Sequence, residues 1–161
     1  VSNTVKLTVR ESEPMKRTRA ADGIIQQWLS SYDYSLTPAY KQQILSLGVP
    51  AAPALALALR AETRFLPVND ILELLGRLPC RESVEALVQF TSTAKNRNFN
   101  SNVPEEFTSA SLLIETAVRS LEKISGESFK GERGDIVSQW QDWYKKNIRT
   151  FKSALPELSG E

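Results

Sequence analysis

Apolar residues recur along this chain at intervals of three and four, and the pattern predicts helices over most of its length. Ile24, Ile25, Trp28, Leu29 and Tyr32 share one face of a helix over about 17–32, with Gln26, Gln27 and Ser30 on the other. Thr37 as N-cap and Pro38 as first helical residue open a second helix. Its stripe is Tyr40, Ile44 and Leu47, and Gly48 stops it. A third spans about 50–62 and is apolar nearly all round, as a helix buried between neighbours would be. A fourth, over 69–78, is capped by Asn69 or Asp70 and turns Ile71, Leu74, Leu75 and Leu78 inward. It pairs Glu73 with Arg77 on its outer face, and Pro79 ends it. A fifth covers 82–95, with Val84, Leu87, Val88 and Phe90 inward. A sixth covers 109–124, with Leu113, Ile114, Ala117, Val118, Leu121 and Ile124 inward, closed by Gly126. Asp135 caps a seventh over 136–150, which stacks Ile136, Trp140, Trp143, Tyr144 and Ile148.

Three stretches break the pattern. Val5, Leu7 and Val9 alternate at period 2, which suits an extended arm, so residues 1–15 read as a flexible or extended lead-in. Residues 96–107 carry four asparagines and no period, so they read as an exposed, mobile loop anchored by Phe99. Residues 152–161 read as a frayed tail, with Leu155 and Leu158 able to dock. Residues 16–151 then form a single domain, large enough for its own core.

Composition narrows the chemistry. There is no histidine, which removes the commonest general base and metal ligand. A Ser-His-Asp triad and any imidazole-bound zinc are impossible. Cys80 is alone, reads as a small semi-buried thiol, and argues only against a disulfide scaffold. A net charge of +1 gives no global pull toward nucleic acid or anionic lipid. No apolar run reaches the roughly 20 residues of a membrane span. The chain begins at Val1, as a processed product or a piece of a longer protein would, so the compartment stays open. Carboxylate pairs such as Glu105 and Glu106 lie in polar stretches and take no acid–base role. Gly131-Glu-Arg-Gly134 lacks the strand and the Lys-Ser/Thr ending of a phosphate loop.

Helix ends repeat at spacings of 31 residues (Leu47 to Leu78) and 46 residues (Leu78 to Ile124), the longer one containing the asparagine-rich loop. The stretch Ile44-Leu-Ser-Leu-Gly-Val-Pro-Ala-Ala-Pro-Ala-Leu55 resembles the junction of a HEAT repeat. There a glycine ends one helix, a proline starts the next, and small residues let the two pack. Leu72 to Leu87 is similar, with departures at Arg77-Leu78 and Arg81-Glu82. Leu121-Glu-Lys-Ile-Ser-Gly-Glu-Ser-Phe129, with Trp140, Trp143 and Tyr144, resembles the terminal unit of bacterial HEAT-repeat proteins.

This resemblance, over about 37–150, implies an all-α fold. It would be a short right-handed α-solenoid of antiparallel helix pairs, about seven helices in all. It implies a non-enzymatic scaffold that binds a protein partner on its concave face, with no catalytic residues, cofactor or metal to carry over. The two C-terminal tryptophans then seal one end of the stack, and Trp28 the other. Candidate partner-binding residues are the polar positions Arg60, Arg64, Glu85, Gln89 and Thr93. The alternative is a nucleic-acid-binding module using Arg60, Arg64, Lys95 and Arg97. It is disfavoured because Glu62, Glu73, Glu85, Glu115 and Glu122 interleave with the cations. A divergent enzyme is a third reading and would need a deep pocket with convergent polar groups. The sequence leaves oligomeric state and partner identity open.

Overall fold

The structure, a computed structural model, describes residues 11–99 and 109–155. The alternating stretch at Val5, Leu7 and Val9, most of the asparagine-rich connection and Leu158 lie outside them. Among the described residues there are seven α-helices and no strand.

Helix α1 (Glu13–Ser30) begins earlier than the apolar period predicts. Its start is set by local capping: Ser12 Oγ accepts a bond from the Met15 N–H at 3.4 Å, and Pro14 sits in the first turn. Helix α2 (Thr37–Leu47) starts at Thr37 itself, so Thr37 is not the cap. Its hydroxyl is buried instead, accepting from Trp28 Nε1 at 3.1 Å and donating to the Asp33 carbonyl at 3.0 Å. Gly48 takes φ 75°, in the left-handed region that glycine enters without strain. The chain bends by 114° there, passes through a short 3₁₀ turn, and enters α3 (Ala52–Ala61).

Helix α4 (Phe65–Gly76) starts four residues ahead of the expected Asn69. Pro67 is its third residue, where no intrahelical N–H bond is needed, so the proline does not delay the start. Asp70 is therefore inside the helix, and Glu73 reaches Lys41 at 3.4 Å. Helix α5 (Arg81–Thr93) is capped by Cys80, whose Sγ accepts from the Ser83 N–H. Helix α6 (Ser109–Ser125) ends at Gly126, again with positive φ. Helix α7 (Arg133–Asn147) has Glu132 at its cap position, and Asp135 lies within its first turn.

Packing follows chain order. α1 lies on α2 and α3, α3 on α4 and α5, α4 on α5 and α6, and α5 on α6 and α7. One core runs through all of them, centred on Leu55, Ile71, Leu75, Leu87 and Leu121. Trp28 and Trp140, both fully buried, lie in its first and last helices. Trp143 is half-buried, edge-on to Trp140 and Phe151. The tightest approach is α4 to α6, where Gly76 meets Ser120 and the Ser120 hydroxyl donates to the Leu72 carbonyl at 2.8 Å.

Beyond α7 the chain turns back. The Lys152 carbonyl accepts from the Arg81 N–H at 2.9 Å. The Glu82 carboxylate accepts from the Ala154 N–H at 2.7 Å and from the Ser153 hydroxyl. Leu155 then enters a depression shared with Glu11, Met15 and Leu57. Among the described residues no single helix is long and apolar enough to cross a membrane.

Candidate functional site

The i, i+4 ridge of α5 carries Glu85, Gln89 and Thr93, all exposed. Arg60, near the end of α3, is exposed on the neighbouring helix. The structure brings Arg60, Gln89 and Thr93 around one shallow depression of about 140 Å³, floored by Ala56, Leu59 and Phe90. Arg97 closes its end. Glu85 is on the same ridge but faces α7: together with burial, its charge pushes the Tyr144 phenol up.

Arg64 does not join this group. Its guanidinium holds Glu62 through Nε at 2.8 Å and Nη2 at 3.0 Å, and donates to the Leu29 carbonyl at 2.6 Å. It also sits 5.8 Å from the centre of the Tyr32 ring. These contacts tie the α3–α4 corner to the end of α1. Arg97 is committed in the same way: Nη2 donates to the Glu62 carbonyl at 2.7 Å, and the guanidinium lies 4.9 Å over Phe99. Phe99 in turn packs on Phe90 at 5.9 Å. Burial lowers the Arg97 pKa, although the guanidinium stays charged.

Burial alone would raise the Glu62 pKa, but hydrogen bonds and charge from Arg64 outweigh it and hold the carboxyl below its ordinary value of 4.5. A lowered carboxyl contributes stability above its unfolded pKa and loses it as pH falls through the folded one. The melting-temperature advantage of the wild type over Glu62→Gln is therefore expected to shrink between about pH 5 and pH 3. A gap that stays constant across that range would show that the pair contributes nothing.

The densest polar cluster was not visible in the sequence. Tyr32 donates to Asp70 at 2.6 Å, and Lys41 meets the other Asp70 oxygen at 2.6 Å. Burial and then Asp70 push the Tyr32 phenol up to about 12, so it stays a donor. Burial works against a charged Lys41, but Asp70 and Glu73 prevail and its pKa is raised. The chain of bonds continues from Glu73 to Asn69 and Thr116. Three helices are joined by mutually satisfied groups, which is the arrangement of a structural clamp. Cys80 is buried, which raises its pKa and keeps it a thiol. Among the described residues no group of three or more Cys, Asp or Glu side chains is arranged to hold a metal ion.

A larger opening lies between the C-terminal end of α5 and the first turns of α6 and α7. It is a cleft of about 790 Å³ that includes Lys95, Arg97 and Arg133. Set against known proteins, the chain matches no family model, and no curated protein or solved structure gives a significant match.

Proposed function

We propose that this chain is a non-enzymatic protein-interaction module, built as a short right-handed HEAT-like α-solenoid that binds a protein partner on its concave face. The packing order supports the solenoid reading. Every helix rests on neighbours one or two places along the chain, as stacked helix pairs do. In this reading α1, α3, α5 and α7 follow one another in one layer, and α4 and α6 pack together in the other. The observation that carries the functional reading is the convergence of Arg60, Gln89 and Thr93, from two helices of one layer, on a shallow open depression. Such a shape suits a side chain of a protein surface better than an enclosed substrate.

Nucleic-acid binding is the weaker reading. Two of its four cations, Arg64 and Arg97, are already held by Glu62 and by carbonyls. A polyanion needs several uncommitted cations.

The test is affinity capture from native extract, with wild type and Arg60→Glu/Gln89→Ala/Thr93→Ala as parallel baits. A protein retained by the wild type and lost by the triple variant, at unchanged melting temperature, is the expected result. Retention by both would place the interface elsewhere, and nuclease-sensitive retention would favour the nucleic-acid reading.

A further inference from the structure

We propose that Lys152–Leu155 is a releasable latch, held shut by the Glu82 carboxylate, that opens while the helices beneath it stay folded. The proposal is independent of the interface reading, since it concerns the first turn of α5 and not the Arg60 depression.

The sequence reads this segment as frayed, yet the structure docks it. Three consecutive strap residues bond to two consecutive residues at the start of α5. The Lys152 carbonyl accepts from the Arg81 N–H at 2.9 Å. One Glu82 oxygen accepts from the Ser153 hydroxyl, and the other accepts from the Ala154 N–H at 2.7 Å. Bonds to a carboxylate are the strong kind, and this carboxylate stands in the first turn of a helix, where its charge is favoured.

Almost nothing apolar adds to these bonds. Lys152 is exposed, Ser153 and Leu155 are half-buried, and Ala154 alone among the four is buried, with a single methyl group to contribute. Leu155 meets Met15 and Leu57, which are 44% and 63% exposed even with the strap in place. The groups left behind on opening are also easily satisfied. The Arg81 N–H belongs to a helix's first turn and the Glu82 carboxylate takes water, so neither becomes a buried orphan. The Ser120 bond to the Leu72 carbonyl, inside the α4–α6 contact, has no such exit. Upstream, Phe151 stays packed on Trp143, which places the hinge between Phe151 and Lys152. Closed, the strap links the end of α7 to the α1–α3 edge across the start of α5. Open, it unlinks them while the helix-to-helix packing is kept.

Amide hydrogen exchange of the full chain, followed residue by residue by NMR, tests this. The Arg81 and Ala154 amides are expected to exchange together, at least tenfold faster than the amides of Leu87 and Leu121 in the core helices. Ser153→Asp sets a second carboxylate against Glu82 and is expected to speed both latch amides by about tenfold or more. Ser153→Ala removes one bond and should speed them less. Both changes lie in the strap, so the Leu87 and Leu121 rates should stay at their wild-type values. Latch amides that exchange no faster than the core would show that the strap opens only on global unfolding, which overturns the proposal. So would a Ser153→Asp variant that leaves the Arg81 amide unchanged, or one that speeds core and latch alike.

Discussion

Replacing Trp140 with alanine is expected to destabilise the protein by about 3–5 kcal/mol, a large part of the 5–15 kcal/mol that ordinary domains possess. The indole is fully buried. Phe129 meets it edge-on with ring centres 4.7 Å apart, and Trp143 does so at 5.3 Å. Truncation would open a cavity and release the loop after α6, which Phe129 anchors. Trp143→Ala is expected to cost less, because Trp143 is half-buried and its cavity is open to water. The sequence stripe treats the two residues alike, so the comparison tests the structure. Trp140 Nε1 is buried without a hydrogen-bond acceptor among the described residues. Trp140→Phe removes that unsatisfied N–H and should cost less than its volume loss implies. Urea unfolding at constant m-value reads all three variants. A larger loss in Trp143→Ala than in Trp140→Ala would mean that α7 is packed differently.

The second large effect is expected from the addition of a single methyl group. In Gly76→Ala a Cβ would lie 2.6 Å from Ser120 Cβ and 2.9 Å from Ser120 Cα. The second of these is backbone, so the clash cannot be relieved by a rotamer change. Alanine improves helix propensity by about 1 kcal/mol. Overpacking of this kind costs about 3 kcal/mol, so a net loss near 2 kcal/mol is expected. The sign decides the matter, since a neutral or stabilised Gly76→Ala would show that α4 and α6 are not in tight contact. Adding Ser120→Gly should recover part of the loss, and a double-mutant cycle measures that coupling.

The helices were legible because burying a helix face imposes a period that neighbouring residues reveal. Helix starts were less so. Ser12 caps α1 and α4 begins at Phe65, and both stand ahead of the first periodic residue. Polar partners were not legible at all. Nothing local to Asp70 announces Tyr32, 38 positions away, or marks Arg64 as the residue that reaches the Leu29 carbonyl. Counted as charges, Arg60 and Arg64 look equivalent, and only their surroundings separate them. Gln89 and Thr93 came together because one helix spaces them by a turn. The α5–α6–α7 cleft arises from helices distant in sequence, so Arg133 gave no local sign of joining Lys95.

The returning C-terminal segment alters how the chain is threaded. In an open stack the first and last segments point away from each other, and separation grows with each added helix. Here the clip at Arg81 and Glu82 reverses the path, and Leu155 comes to line the same depression as Glu11. The described chain is therefore close to a closed circuit. A short flexible link joining these two positions would span little distance and add little closure entropy. The same circuit opened elsewhere, by circular permutation, would keep every helix-to-helix contact. Anything fused near residue 155 would emerge beside α1 and Met15.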